Sequence, residues 1–554
     1  MVYEDGTPAA GAVLGFTTLS SGAQVAVVKA DDRGGFRAPL PPDVYALTAT
    51  TSRGHSWVER RALSGNENTI RMLENCHVTA GRVTSAVPGV ADVHLEREGA
   101  GTGERYVTYA DKNGDFRFCL PAGVYTASVS GELLAPESGV VIPSKIDIRL
   151  PSYPTEKIRS APEPVERVSH GIEILIRDIE QHEPKVVGLG EATHGSAEFV
   201  SARAALTFAL ARQSGLQTIL LENDAIVAME IDRYVNGEDV NIAKVATDLG
   251  FWTTDTYEFL QFLGQVRTYN QKLPPMSPAR LRIWGVDAQE TAPPVELLVA
   301  HAAELRLSEQ EIALLHSLVA KRGAIVKGFD GGQRASLDQL LSRLAVPRGE
   351  SLRDTQLVVA ATSLAIQVGY LDGDVQGLYN ARRDAGMAKL AQLIVSATGT
   401  KRACFWAHND HVARVSQVGY QSIGQLLATA FPGRYYPVGF YLFKGSARAW
   451  DAEEKIGVIS HRFKPAPAFT VEGALMNATR FPDIAWVPFG PLPPTLRSWF
   501  KLPRYARELG ATSNGEARTM ILFDMPSAFE AAVVIKYVHD SSPTPTGIRK
   551  ASGP

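Results

Sequence analysis

A repeat with an offset of 80 residues constrains the fold of the first 150 residues. Residues 30–45 read ADDRGGFRAPLPPDVY, and residues 110–125 read ADKNGDFRFCLPAGVY. In both copies an Asp and a Gly suit a tight turn, and a Phe points inward from the next strand. Leu-Pro then closes that strand before Val-Tyr starts another. The repeat therefore predicts two tandem β-sandwich modules, over residues 1–73 and 75–151.

The two predicted modules resemble the carboxypeptidase regulatory-like, transthyretin-related sandwich through the pattern Asp-x-x-Gly-x-Phe followed by Leu-Pro-x-x-Val-Tyr. Such modules are common on exported proteins, so the resemblance implies a periplasmic or extracellular setting. No signal peptide is visible after Met1, and the first module starts so late that part of its first strand would be missing. We expect either that Met1 is an artificial start or that an upstream segment was removed. A module of this type binds a substrate or cell wall, or acts as a spacer. We favour the spacer because neither copy carries an exposed aromatic cluster.

The three cysteines are unevenly placed along the chain. Cys76 and Cys119 both fall in the second module. They either form a disulfide, which would imply an oxidising compartment, or remain two buried thiols. Cys404 lies in an apolar run and fits a small core residue.

Composition excludes two classes of function. The 554 residues are 45% hydrophobic and 21% charged, which is ordinary globular composition. A formal net charge of −3 gives no field that attracts polyanions, so we expect no nucleic-acid partner. No apolar run reaches the ~18–20 residues that span a bilayer, so we expect no transmembrane segment. The oligomeric state stays open.

From about Tyr153, short apolar runs alternate with helical stretches. This alternation is typical of βαβ units, and it predicts an α/β domain with a mainly parallel sheet and flanking helices over residues 156–540. The predicted strands span 185–190, 218–222, 281–286, 403–407, 436–443, 520–524 and 531–537, and the clearest predicted helices span 198–212, 258–271 and 384–397. Residues 295–370 read as mostly helical with a break at 328–332, and they form either a helical cap or packing layers. The Pro/Ser/Thr-rich residues 541–554 predict a disordered tail.

Four of the predicted strands end in ionisable residues. Because ligands of open α/β sheets bind at the carboxyl ends of the strands, these residues should converge on one site. They are Glu191 and His194 after the first strand, Glu222 after the second, Asp287 after the third, and His408 and His411 after the fourth.

These residue types suit ester hydrolysis, which needs a nucleophile, a proton acceptor and a group that stabilises the oxyanion. The sequence lacks Gly-x-Ser-x-Gly, and Cys404 lies inside its strand, so an activated water is the better nucleophile. Histidine suits the base near neutral pH, and a carboxylate can fix its tautomer. Glu191 precedes His194 by three residues on a Gly-flanked turn, and Glu222 supplies a second carboxylate.

At these residues the chain resembles the erythromycin esterase family. The first match is Gly190-Glu191-Ala192-Thr193-His194-Gly195, followed by Glu198-Phe199 and Arg203. Over roughly residues 165–445 the later matches keep the family's order: Leu221-Glu222, Phe251-Trp252-Thr253, Arg267-x-Tyr269-Asn270, Gly285-Val286-Asp287-Ala288-Gln289, Arg383-Asp384 with Met387-Ala388, and Trp406-Ala407-His408-Asn409-x-His411-Val412. Beyond residue 445 no motif can be placed.

The resemblance implies a carboxylic ester hydrolase without an obligatory metal or other cofactor. Transferred position by position, His194 is the base on water, Glu191 is its orienting or proton-handling partner, and Glu222 positions the water or polarises the centre. His408 binds substrate or helps in proton transfer. Arg203 neutralises charge near the carboxylates or holds the oxyanion. The other positions imply substrate binding, with a structural ion pair or core packing as the alternative for the whole set: Arg203, His411, Asp287, Arg383 and Trp252.

Two other functions stay open. The cluster of Glu191, His194, Glu222, His408 and His411 is compatible with a divalent metal, so a metal-dependent hydrolase or peptidase is one alternative, although His-Glu-x-x-His is absent. The other is a non-catalytic envelope or glycan-binding protein. For the esterase, the attached β-modules favour a small-molecule or acylated-glycan ester over a macrolide.

Overall fold

The computed structural model describes residues 7–18, 24–38, 43–50, 56–63, 77–83, 91–97, 105–110, 115–129, 137–142, 147–150, 155–164, 167–319, 331–370, 376–415, 421–451, 457–513, 519–545 and 547. The chain divides into two compact units. The first comprises Met1–Lys157, Asp372–Asn380 and Gln417–Tyr420, and the second comprises Ile158–Leu371, Ala381–Ser416 and Gln421–Pro554.

The first unit consists of short strands that pair mostly in antiparallel fashion. They are β1 (Val13–Thr18), β2 (Gln24–Lys29), β3 (Asp43–Thr50), β4 (Ser56–Leu63), β5 (His77–Val83), β6 (Ala91–Arg97), β7 (Arg105–Ala110), β8 (Asp115–Leu120), β9 (Gly123–Val129), β10 (Glu137–Ile142) and β11 (Asp147–Leu150). Their sheets have the orders β2-β1-β3-β4, β10-β9-β6-β7 and β11-β5-β8, and β11 pairs with β5 in parallel. The arrangement of these sheets as two sandwiches stays a prediction.

The first copy of the repeat forms the expected turn. Asp31 Oδ1 accepts the backbone N–H groups of Arg33 and Gly35, both at 2.8 Å. Gly34 has a φ of 74°, a conformation that favours glycine. The corresponding turn of the second copy, residues 111–114, lies outside the described residues. Phe116 is buried in β8 as expected, whereas the described structure places Phe36 outside a strand.

The cysteines differ in state. Cys119 in β8 is disulfide-bonded, and Cys76, its expected partner, lies outside the described residues. Cys404 is a free, buried thiol whose pKa is raised to about 12 by burial. Such a thiol is a poor nucleophile, which fits the predicted core role.

The second unit is an α/β domain. Its strands are β12 (Val186–Leu189), β13 (Leu216–Asp224), β14 (Arg282–Asp287), β15 (Arg402–Trp406), β16 (Tyr435–Asp451), β17 (Val458–Phe463), β18 (Ile484–Pro488), β19 (Arg504–Arg507), β20 (Thr512–Ser513), β21 (Met520–Phe523) and β22 (Ala531–Val538). The main sheet has the order β14-β13-β15-β12-β16-β22-β18, in which all pairs are parallel except β22 with β18. The predicted mainly parallel sheet is therefore confirmed.

Helices follow the strands as the alternating pattern predicted. They are α1 (Thr155–Ile158), α2 (Ile172–His182), α3 (Ala197–Gln213), α4 (Val227–Val235), α5 (Ile242–Asp248), α6 (Tyr257–Gln271), α7 (Ala292–Ala300), α8 (Ala302–Leu305), α9 (Glu309–Val319), α10 (Gly331–Leu344), α11 (Leu352–Tyr370), α12 (Gln376–Ala397), α13 (Asn409–Val412), α14 (Ile423–Ala430), α15 (Val471–Thr479), α16 (Pro494–Trp499) and α17 (Met525–Ala528). Within the residues that the structure describes, no helix is both long and apolar enough to cross a membrane.

The core lies on both faces of the main sheet, as expected of a parallel sheet covered by helices. Every residue of β12 and β15 is buried, which explains why these strands read as continuous apolar runs. β16 continues to Asp451, well beyond the predicted end at residue 443, because its second half pairs with β17 and β20. Residues 295–370 are mostly helical where described, and the predicted break at 328–332 lies mostly outside the described residues.

The start of the predicted disordered tail is ordered. The backbone N–H of Ser541 donates to the carbonyl of Gly195 at 2.8 Å, and Ser542 donates to the carboxylate of Glu258. Thr544 is buried beside Asp255, to which its hydroxyl donates. Composition did not predict that these residues are ordered, because their order depends on hydrogen bonds with residues at or just before the starts of α3 and α6.

Candidate active site

The four predicted strand ends lie side by side. β15 lies between β12 and β13, and β14 follows β13. Leu189 and Leu221, the last apolar residues before the carboxylates, both pair with Trp406. The segments that follow these strands therefore leave the sheet at the same level, at the edge where α/β sheets bind ligands.

The loop that carries Glu191 and His194 is fixed by a segment far along the chain. The backbone N–H groups of Leu509 and Gly510 donate to the carbonyl of Ala192 at 2.7 and 3.0 Å. The N–H of His194 donates to the carbonyl of Gly510 at 3.3 Å. These bonds satisfy the backbone of an irregular buried loop, so the loop is rigidly placed.

Glu191 is buried and holds two cationic or polar partners. Its Oε1 lies 2.8 Å from Nδ1 of His194, and its Oε2 accepts from Nη2 of Arg203 at 2.5 Å. Arg203 is also buried, and its guanidinium lies 4.6 Å from the centre of the Trp406 ring. Burial would raise the pKa of Glu191, but Arg203 and His194 hold it below its ordinary value. Glu191 is therefore an ionised acceptor for the Nδ1 proton of His194.

The other ring nitrogen of His194 is differently placed. Within the described part of the chain, Nε2 has no hydrogen-bond or ion-pair partner. The side chain is 17% exposed, and its ring lies 5.4 Å from the ring of His408. A neutral ring that donates Nδ1–H to the ionised Glu191 carries its lone pair on Nε2. His194 can therefore accept a proton from a molecule that enters the site.

Glu222 lies at the centre of a second group of contacts. Its Oε1 is 3.0 Å from Nη2 of Arg383 and 3.4 Å from Nε2 of His411, and its Oε2 accepts the backbone N–H of His408 at 3.2 Å. Burial would raise the pKa of Glu222, but His411 and Arg383 hold it well below its ordinary value. Glu222 is thus ionised, and both of its oxygens bind protein groups.

Arg383 joins the ends of β13 and β14. Its Nε and Nη2 donate to Oδ2 of Asp287 at 2.9 and 2.6 Å, and Asp287 also accepts from the side chain of Gln289 at 2.7 Å. Burial would lower the pKa of Arg383, but Asp287 and Glu222 raise it above its ordinary value. Arg383 and Asp287 therefore belong to the site as a buried ion-pair network.

His411 is held on both ring nitrogens. Nδ1 lies 3.0 Å from Oδ2 of Asp384, and Nε2 faces Glu222. The same Asp384 oxygen accepts the backbone N–H of Ile423 at 3.2 Å, which fixes the carboxylate. Burial would lower the pKa of His411, but Glu222 and Asp384 raise it to about 10. His411 is therefore an imidazolium at neutral pH.

His408 is also held on both sides. His408 is the first residue before α13, and its Nδ1 lies 3.3 Å from the backbone nitrogen of Asp410 and 3.5 Å from Oδ2 of the same residue. A neutral ring accepts that N–H, whereas a charged ring donates to the carboxylate. Nε2 lies 3.2 Å from Oε2 of Glu508. Burial would lower the pKa of His408, but Asp410 and Glu508 raise it well above its ordinary value. His408 thus offers the site a charge, while both nitrogens face protein groups.

Trp252 is the predicted site residue that the structure does not join to the others. Its ring lies 5.6 Å from the guanidinium of Arg448. Among the described residues, no hydrogen bond or ring contact connects it to the other eight predicted site residues. Those eight residues form one connected set.

Sequence reasoning missed Glu508 and gave no role to Asp384. Asp384 stands in a matched motif next to Arg383, and its position after an arginine already in the site was a usable signal. Glu508 follows the short strand β19, in a region without a recognisable motif. Nothing in the local sequence connects it to His408, because the contact depends on the distant segment 508–510.

A metal centre is the alternative for this cluster of His and Glu side chains. Among the described residues, no group of three or more His, Cys, Asp or Glu side chains has an arrangement suited to a metal ion. The ring nitrogens of His408 and His411 face carboxylates or a backbone amide, as given above.

Similar folds occur in solved structures. A Bacillus cereus protein is 19% identical with a TM-score of 0.55, over 71% of this chain and all of that chain. A succinoglycan biosynthesis protein is 15% identical with a TM-score of 0.55, over 70% of this chain and 96% of that chain. A histidine-to-asparagine variant of erythromycin esterase EreC, in its open conformation, is 18% identical with a TM-score of 0.47, over 68% of this chain and 95% of that chain.

The family model described as erythromycin esterase matches residues 211–538, which is more than half of the chain. The match includes Glu222, Asp287, Arg383, His408 and His411, and it begins after the loop of Glu191 and His194. The chain belongs to the erythromycin esterase family.

Proposed function

We propose that this protein hydrolyses an ester or lactone by water that His194 activates as a general base. One observation carries the proposal. His194 has Nδ1 bound to a buried, ionised carboxylate and Nε2 without a partner among the described residues. This is the arrangement that a histidine base requires.

The reaction can be written with His194 as the only proton carrier. The water oxygen attacks the carbonyl carbon while one water proton passes to Nε2. The resulting imidazolium is stabilised by Glu191, which accepts the Nδ1 proton at 2.8 Å. When the tetrahedral intermediate collapses, the carbon–oxygen bond to the leaving group breaks and Nε2 returns the proton to the departing alkoxide.

Arg203 supports this step indirectly. Its guanidinium is engaged by Glu191 and packs on Trp406, so it neutralises the carboxylate and holds it in place. This geometry favours charge neutralisation over direct contact with an oxyanion. Arg203 is therefore a positioning residue for Glu191.

The imidazolium groups of His408 and His411 supply positive charge for the oxyanion. The His408 ring lies 5.4 Å from the His194 ring, and Glu222 ties the backbone of His408 to the ring of His411. A fixed charge in a site shielded from water stabilises a developing oxyanion at little reorganisation cost. Glu222 and Arg383 keep these charges in place.

The substrate class that we propose is a small-molecule or acylated-glycan ester, rather than a macrolide. The β-strand unit before the hydrolase supports this choice, since a spacer or binding module suits a substrate at the cell envelope. A disulfide at Cys119 supports an exported, oxidising location. Thiol counting before and after reduction, on protein from the native host, tests that location.

A panel of p-nitrophenyl esters, simple lactones and O-acetylated glycans tests the hydrolase proposal. We expect the wild-type protein to hydrolyse at least one class and the His194→Ala variant to fall to background. His316→Ala is the matched control, because His316 is exposed on α9. Equal inactivity of wild type and His194→Ala across the panel would favour a binding protein.

The identity of the nucleophile needs a separate measurement. Hydrolysis in ¹⁸O-labelled water should place the label in the acid product, with no acyl adduct on the protein by mass spectrometry. A covalent acyl-enzyme would contradict direct attack by water.

A further inference from the structure

We propose that Glu508 is a positioning residue of the site, which fixes the ring of His408 by binding its Nε2–H. The inference rests on the proposed function for its catalytic consequence. It adds a residue from the part of the chain beyond 445, where the sequence gave no motif.

The contact joins two buried polar atoms, one from Glu508 and one from His408. Oε2 of Glu508 lies 3.2 Å from Nε2 of His408, with an alignment outside hydrogen-bond geometry, and neither atom has another hydrogen-bond partner among the described residues. The carboxylate is 1% exposed and the imidazole 9%. Buried polar atoms are nearly always paired, so a small rotation that completes this bond is favoured.

The other oxygen of Glu508 is firmly held. Oε1 accepts from Nδ2 of Asn409 at 2.7 Å, and the same Nδ2 donates to the carbonyl of Phe440 at 3.0 Å. Oδ1 of Asn409 accepts the backbone N–H of Phe440 at 3.1 Å. The carboxylate is therefore oriented by an amide that is itself fixed to β16.

The backbone around Glu508 brings His408 and His194 together. Gly510 has a φ of +63°, and a Cβ built there would lie 3.6 Å from Nε2 of His408. The same glycine bonds to the loop of His194 through its N–H and its carbonyl. Segment 508–510 therefore contacts one histidine with its side chain and the loop of the other with its backbone.

The contact decides where the His408 ring carries its protons. In a neutral ring Nδ1 accepts the N–H of Asp410, so a carboxylate at Nε2 requires the proton on that second nitrogen. In a charged ring both nitrogens carry protons, and Nδ1 faces Oδ2 of Asp410. The buried carboxylates of Asp410 and Glu508 flank the ring and favour its charged form. An amide in place of Glu508 could donate to Nε2 and would favour the opposite tautomer.

Glu472 provides a matched control. Like Glu508 it is buried in the C-terminal part of the domain, and burial raises the pKa of both side chains to about 7. Among the described residues, Glu472 makes no contact with His408. A change that follows only from loss of a buried carboxylate should therefore appear in both variants.

The experiment compares Glu508→Gln and Glu472→Gln with wild type by two readouts. Kinetics on the best ester of the panel gives kcat and KM. NMR of enzyme labelled with ¹³C and ¹⁵N in histidine reports the protonation of His408, whose signal is assigned by its loss in His408→Asn. We expect Glu508→Gln to shift the His408 signal and lower kcat about 10- to 100-fold with KM within about threefold. Glu472→Gln should leave both unchanged.

The two readouts separate the possible failures. An unchanged His408 signal in folded Glu508→Gln overturns the positioning role, whether or not the wild type is an esterase. A shifted signal with unchanged kcat also overturns it. If wild type is inactive on every ester, the NMR comparison alone decides the contact. If Glu508→Gln does not fold, Glu508→Asp, which keeps the charge, takes its place and should shift the signal less, with no shift overturning the role.

Discussion

Two parts of the site use histidine for different purposes. One part is His194 with Glu191, and the other is His408 with His411. At His194, the Glu191 carboxylate binds Nδ1, and Nε2 has no partner in the described part of the chain. At His408 and His411, protein groups face all four ring nitrogens, and the pKa of both rings is raised. A histidine with one free nitrogen can transfer a proton, whereas one held on both sides acts as a fixed charge.

Among the variants that test this comparison, Glu191→Gln is expected to have the largest effect on kcat. The amide cannot accept the Nδ1 proton with the strength of a carboxylate, and it leaves buried Arg203 without an ionic partner. We expect kcat to fall about 10²- to 10⁴-fold, since the wrong tautomer becomes accessible. Steady-state kinetics measures this, with Glu198→Gln on the first turn of α3 as the control.

A smaller effect is expected from Arg383→Lys. Lysine keeps the charge but cannot donate to Asp287 and Glu222 together in the geometry of a guanidinium. The carboxylate of Glu222 would then hold His411 less firmly, so we expect kcat to fall about 10- to 100-fold. Arg382→Lys, one residue away, is the control. A variant with wild-type kcat would contradict the role given to this network.

A stability effect is expected from Glu472→Gln, and its sign follows from the pKa. Burial raises the pKa of Glu472 from 4.5 to about 7, so the folded state binds the proton more tightly than the unfolded chain. The stabilisation is fully present below about pH 4.5 and is lost as the pH rises through about 7. Glutamine mimics the protonated side chain, so the variant should melt ~2–5 °C above wild type at pH 8 and close to it at pH 5. A difference in melting temperature that is larger at pH 5 than at pH 8 would contradict this expected direction.

The smallest effect is expected from metal removal. In the proposed mechanism the positive charge near the oxyanion comes from His408 and His411. Dialysis against a chelator, with metal analysis of the product, should therefore change kcat less than about twofold. A loss of activity that Zn²⁺ restores would instead favour the metal-dependent hydrolase.

The sequence predicted the parallel sheet and the meeting of its polar strand ends because both follow from local patterns. Continuous apolar runs identify buried strands, and the polar residues after them share one edge. The partners of each ring were not predictable in this way. Glu508 reaches His408 only because segment 508–510 bonds to the loop at Ala192, a contact between residues more than 300 positions apart. The ordered start of the tail depends on similar distant bonds.

The central claim is that His194 alone among the three histidines transfers the proton. Substituting each histidine with asparagine tests this claim. The asparagine amide can keep the contact that Nδ1 makes, but it has no atom in place of Nε2. Side-by-side kcat values should place His194→Asn at background, at least tenfold below both His408→Asn and His411→Asn. If His194→Asn keeps more than about a tenth of wild-type kcat while either other variant falls to background, the assignment of the base is wrong.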